Sequence, residues 1–417
     1  MFSKIKKNIL WITVFFIISI LAVIPFTDPV LAADDNRVRD SLDSLLGYYN
    51  KEDLYDAWEV IGLRWVGVEC GAKYKGEDAV SASDYARNII AAISAGQDKT
   101  IVQEYINELV SRQVGDGSFQ KAGETLNQSI WAIIALDFAQ KNGLVVNYQR
   151  DNAVAFICNS QDDSGGFNES GWGVDVDSTA HALIALAPDY QKPGKDHVTK
   201  AINDALAYLH QEQIETGGFG GWGAENPDTT AAVIEAFMAL GINPVSEEWL
   251  FNEKSMVDAL LSYQSQEGWF VYSWDVSAWN DPNFPNVMST CHALLALGDL
   301  MQGKSKYNSV IPGTNSILLT VEAPASFSLD SDANVNIKVA NSSAGNKPVL
   351  VMVGLYNREN ERLFSMTSTA TVIPAGNTIE FGSGITTPVS GSYELRVFLW
   401  DDWDNRNPLT VPTVIPL

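Results

Sequence analysis

Apolar and polar positions along the chain fall into three regimes. The first is an apolar run from Ile9 to Ile24, preceded by Lys4, Lys6 and Lys7 and followed by Pro25 and the small-residue stretch Val30-Leu31-Ala32-Ala33. Basic, then apolar, then small is the order of a secretory signal peptide, and the run is shorter than the ~20 residues of a spanning helix. We therefore expect a signal peptide over residues 1–33 and a protein that is secreted or held at the cell surface; only an uncleaved leader would tie it to the membrane. The second regime, residues 34–303, has helical period. The third, residues 316–417, alternates with period two across 317–321, 335–339, 349–355, 378–381 and 393–400, between Asn, Gly, Ser and Pro. Short strands at such spacing predict a β-sandwich of immunoglobulin or fibronectin type. The polar stretch 304–315 reads as the linker between the two.

Within the helical regime one signature recurs about every fifty residues. It is Gln-x-x-x-Gly-x-Phe, beginning at Gln113, Gln161, Gln213 and Gln264 and ending at Phe119, Phe167, Phe219 and Phe270. That period is the length of a helix pair. Ahead of each copy lies an amphipathic segment with a polar face; behind it, after a loop, comes a run rich in small residues such as Asp177-Ser-Thr-Ala-His181-Ala-Leu-Ile-Ala-Leu186, which reads as a helix packed on several sides. Two further runs of the second kind, around Tyr55–Leu63 and Asp84–Ala92, bring the inner helices to six. The expected fold is multidomain: an all-α, (α/α)6-type toroid followed by an all-β sandwich.

Charge narrows the partners. The chain carries a net charge of −24, and loss of residues 1–32 leaves −26. Such a surface repels phosphate backbones, so no nucleic-acid partner is expected. Three cysteines, Cys70, Cys158 and Cys291, are too few for a disulfide scaffold.

The Gln-x-x-x-Gly-x-Phe copies resemble the repeats of squalene cyclases, and Asp175-Val-Asp177-Ser-Thr-Ala180 resembles the acid motif of that family. The resemblance places the chain in the terpene cyclase and protein prenyltransferase toroid superfamily. The segments from Gly217 to Ala232 and Leu240 to Pro244 look most like bacterial exported toroids akin to the cobalamin carriers transcobalamin and intrinsic factor. For the cyclases it implies catalysis by Asp175 and Asp177, with Asp177 as proton donor and Ser178 standing where a third aspartate belongs. For the prenyltransferases it implies a zinc site, but the Asp-x-Cys spacing is missing and the adjacent Cys291 and His292 point about 100° apart on a helix, so no metal is expected. No cofactor is identified.

Read locally, Asp177 has a second role as the N-cap of its helix, with Asp228 and Asn127 as its equivalents. His181 and His292 share a register one turn inside two of the inner helices, and Trp131, Arg87 and Trp58 take the corresponding places elsewhere. Together with Trp172 and Trp222, on two Gly-Trp-Gly loops, they are the candidate ligand-binding residues at one mouth of the ring. The expected function is that of an exported, non-catalytic binding protein whose cavity takes a small apolar, amphipathic or corrinoid-like ligand, with the sandwich meeting a cell-surface partner. The alternatives are a terpene-cyclase-like enzyme using Asp177 and a saccharide-active toroid.

Overall fold

The computed structural model describes residues 36–416 apart from 52–54, 69, 75, 121–123, 222, 278–279, 312–316, 323–327, 342–345, 361, 375–376, 404–405, 407 and 411. The leader and Trp222 thus lie outside the described residues.

Six inner helices, α2 (Ala57–Trp65), α3 (Ala82–Ser94), α5 (Leu126–Lys141), α7 (Val176–Leu186), α9 (Pro227–Leu240) and α11 (Val287–Gln302), each pack on the next, and α11 packs back on α2. The outer helices are α1 (Asn36–Tyr49), α4 (Lys99–Ser111), α6 (Arg150–Asn159), α8 (Asp196–Glu212) and α10 (Met256–Leu261). Composition explains the division. In α9 every residue from Thr229 to Met238 is buried, which the alanines permit by letting neighbours approach from several sides. Outer α8 buries only the stripe Val198, Ala201, Ile202, Ala205 and Leu209. The step from α2 to α3 has no outer helix among the described residues.

The repeated signature is the joint between outer and inner helices. Each glutamine amide donates twice: Gln213 Nε2 to the Gly217 carbonyl at 2.8 Å, which closes its own turn, and to the Trp249 carbonyl at 2.9 Å, just before the next outer helix. The phenylalanine ring enters the core, and its N–H donates to a hydroxyl of the following inner helix, as Phe219 does to Thr230 Oγ1 at 3.1 Å. Gly217 sits at φ +86°, where a Cβ would lie 2.6 Å from the carbonyl oxygens of Lys254 and Ser255, so no other residue fits without displacement. The fourth copy closes the ring: Gln264 Nε2 donates to the Ser41 carbonyl of α1 at 2.8 Å.

The inner helices start at the same end of the ring, where a small hairpin, β1 (Gly220–Gly221) with β2 (Ala224–Glu225), precedes α9. The other end is plugged. Residues 304–311 do not form a free linker, because they run into the core. Lys306 is fully buried, paired with Glu235 Oε2 at 2.8 Å and Asp299 Oδ2 at 3.0 Å, and Tyr307 and Ile311 join the toroid's apolar cluster. Asn142 staples the strap by donating to the Ser309 carbonyl and accepting from Ile311 N–H.

Beyond it two antiparallel sheets face each other. One has the order β3 (Ile317–Glu322), β4 (Asp332–Asn341), β7 (Thr378–Thr386); the other β6 (Leu363–Ile373), β5 (Lys347–Asn357), β8 (Tyr393–Trp400), β9 (Thr413–Pro416). Val335, Ile337 and Val339 from the first meet Val351, Val353, Leu395 and Val397 from the second. No helix among the described residues is long and apolar enough to cross a membrane.

Candidate functional site

The unplugged mouth gathers the titratable side chains. Helix starts decide which of them are free. α7 is capped by Asp175, whose Oδ1 accepts from Ser178 N–H at 2.7 Å. α9 is capped by Asn226 through Thr229 N–H and α11 by Asn286 through Ser289 N–H. The cap therefore falls two residues before Asp177 and Asp228, and on Thr125 rather than Asn127 in α5, because only the earlier side chain reaches the backbone N–H three positions on. Asp177 is not a cap. Ser178, in the place of the third carboxylate, donates its hydroxyl to Asp175 Oδ2 at 2.8 Å and accepts from Glu169 N–H, so it supports the cap and the preceding loop.

Freed from capping, Asp177 turns into the ring. Thr229 Oγ1 donates to its Oδ2 at 3.2 Å. Burial lifts its carboxyl above the ordinary aspartate range; Asp175 adds to the rise, while His181, Thr229 and His292 hold it back. His181 lies one turn further along α7 and its Nδ1 stands 2.7 Å from Glu169 Oε1. Burial opposes its charge, but Glu169, with Asp177 and Glu235 behind it, overcomes that and pushes it up to about 9, so the imidazole is a cation at neutral pH rather than a neutral donor. The next helix repeats the arrangement in looser form: burial raises Asp228, and His292 Nδ1 is 3.8 Å from its Oδ1. Although six helices surround them, Glu169, Asp228, His181 and His292 keep 12%, 15%, 23% and 35% of their side-chain surface accessible, so they line a recess open to solvent.

Aromatic rings form its inner wall. Trp131 packs against His181 at 5.1 Å, Trp58 at 4.9 Å and Tyr307 of the strap at 5.9 Å between ring centroids. Trp131, His181 and His292 occupy the sixth helical position of α5, α7 and α11; Arg87 does so in α3, where Glu77 holds it at 2.8 Å beside Asp84. Trp58 is at the second position of α2, and Gly62 takes the sixth. Trp172 stands 85% exposed on its loop. Sequence reasoning missed Glu169, Thr229 and Tyr307. The first two carry no local signal, and Tyr307 lies in the stretch read as a linker. No cluster of three or more histidine, cysteine, aspartate or glutamate side chains suited to a metal ion occurs among the described residues.

Glu77, Asp84 and Glu169 face Arg87 and His181 around the recess, so it has no surplus of cations to hold a diphosphate and suits a neutral occupant. Among solved structures, the type II terpene cyclase MstE from Scytonema, in its apo form, is similar at 13% identity and a TM-score of 0.46, over 64% of this chain and 99% of that one. A variant of that cyclase in complex with geranylgeranyl dihydroxybenzoate, its substrate, gives 12% identity and 0.45, over 64% and 97%. A β-glucuronidase of glycoside hydrolase family 2 gives 12% and 0.18, over 25% of this chain and 11% of that one. No curated protein matches the sequence. The prenyltransferase α/α toroid domain model matches residues 2–182 and 176–295, and the chain belongs to that family.

Proposed function

We propose that the recess is the active site of a proton-initiated, terpene-cyclase-like enzyme that acts on a short, uncharged isoprenoid. The observation that carries this reading is the release of Asp177 from capping by Asp175, which leaves a buried carboxyl, held above the ordinary aspartate range by that burial, beside a cationic imidazole and a hydroxyl donor. An alkene is a weak base, so its protonation demands that the departing carboxylate be stabilised as the proton leaves. His181 and Thr229 are in place to do that. The Asp177 proton adds to the less substituted carbon of a terminal trisubstituted alkene, the charge appears at the tertiary carbon, the next double bond closes on it, and the ring-closed cation loses a proton from an adjacent carbon to water, from which the Asp177 carboxylate is reprotonated. The faces of Trp131 and Trp58 attract the cation. Depth sets the size of substrate. Asp228 and Glu235 are seven residues apart on α9, so about 10 Å at the helical rise separates the level of the acid from the Lys306 ion cluster that floors the ring.

That floor also favours a second reading, in which the recess holds a small amphipathic ligand without turnover, since three buried charged groups occupy the middle of the ring. One experiment separates the two. Farnesol, geranylgeraniol and squalene are incubated with the purified protein in D2O, and the extracts are analysed by mass spectrometry. The cyclase reading expects a ring-closed product carrying one new deuterium, lost in Asp177→Asn. Substrate that is retained by the protein and recovered unlabelled would establish binding alone. Export is part of the same proposal, and an intact mass of secreted protein beginning near residue 33 is its test.

A further inference from the structure

The sandwich carries a site that the toroid reading does not touch. On β5, Val349, Val351, Val353 and Leu355 point into the sandwich core, so Leu350, Met352, Gly354 and Tyr356 take the opposite face. Opposite them on β8 stand Trp400, Phe398 and Arg396. An antiparallel sheet with one solvated face normally shows polar residues there. Here Leu350 and Met352 are buried on that outer face, and the Tyr356, Phe398 and Trp400 rings follow one another at 6.3 and 6.1 Å. Above them is a groove of about 700 Å³. Met352 and Gly354 form its floor, Met366 of β6 one wall, the three rings the other, and Trp403 and Arg406 its lip.

Chemistry selects the occupant. Thioethers and aromatic faces suit an aliphatic or aromatic body. Among the described residues no Asn, Asp, Gln or Glu lines the groove, so along the floor and walls the hydroxyls of a saccharide would lose water without gaining partners. Among the described residues Arg406 is the single charged one lining the groove, a cation at the mouth of an apolar groove on a chain of net charge −24. Lys304, at the start of the strap, donates to the Arg406 carbonyl at 3.4 Å and so ties this lip to the toroid. We infer that the outer face of the four-stranded sheet binds a single-chain amphiphile, its apolar body along Met352, Phe398 and Trp400 and its anionic head on Arg406. The groove's volume is within the range of sites that enclose molecules of that size. The inference is independent of the cyclase reading.

The test is calorimetric titration of the full-length mature protein with dodecanoate and with dodecyltrimethylammonium, both below micelle formation. Dodecanoate should bind at least about tenfold more tightly than the cation. Arg406→Gln, on an exposed loop where folding is not at stake, should erase that preference, and Trp403→Ala should weaken both ligands. Absence of dodecanoate binding, equal binding of the two amphiphiles, or affinity unchanged in both variants would overturn the inference, as would tighter binding of maltohexaose than of dodecanoate.

Discussion

Two aspartates separated by one residue do opposite work at the head of α7. Asp175 accepts the backbone N–H of Ser178 and stabilises the helix, whereas Asp177 makes no backbone bond and keeps its carboxyl in the recess. Asp175→Ala should therefore cost about 1 kcal/mol in urea unfolding, the scale of a lost cap. Asp177→Asn should leave unfolding nearly unchanged while abolishing turnover of any isoprenoid the protein cyclises. His181 supplies a pH dependence. Its folded pKa, about 9, is above the ordinary value of 6.5, so the stability it contributes is fully present below 6.5 and drains away as pH rises through 9. Melting temperature should fall across that window, by no more than the equivalent of about 3 kcal/mol, and His181→Gln should flatten the profile. Asp177 and His181 were legible as candidates because the repeat aligned them. Which of two nearby aspartates caps the helix was not, since that depends on where the backbone leaves the extended region, and the composition of the segment satisfies either start.

The repeating joint shows the same logic at the level of the element. Its glutamine, glycine and phenylalanine each answer a different demand: two backbone carbonyls, a positive φ beside a neighbouring chain, and a place in the core. Gly217→Ala should destabilise by more than about 2 kcal/mol, because strain at positive φ is added to a collision with the Ser255 carbonyl. Gly143→Ala, at φ +80° with nothing within 4 Å of its would-be Cβ, should cost only about 1 kcal/mol. Chemical denaturation of the two variants side by side measures the difference. Regularity made the inner helices readable, and five of the seven sandwich strands announced themselves by alternation. β6 did not, since Ser365, Thr367, Thr369 and Thr371 make one of its faces largely polar and Ser368 interrupts the other, and it is held at the sheet edge by pairing with β5.

For the whole molecule the decisive surprise is the strap. A run containing Lys304, Lys306, Asn308 and Gly303 reads as solvated, and only the closed ring, which brings Glu235 and Asp299 from different helices to one point, makes burial of Lys306 tolerable. Removing the cation strands two carboxylates, so Lys306→Met should lower stability at neutral pH by about 3–5 kcal/mol, with sensitivity to protease appearing around residues 304–311. The link from Gln264 to Ser41 has a consequence in time. It joins positions 223 apart, and α2 gains its neighbour α11 only from the far end of the same domain. A linear array of repeats can order itself from any point outward, with end units whose outer faces are content in water. This ring has no such ends. Its first unit lacks one flank until the last helix arrives, so completion of the ring should be a late, slow event dominated by long-range closure, and a chain emerging N-terminus first must be kept from sticking to its copies until residue 311 is available.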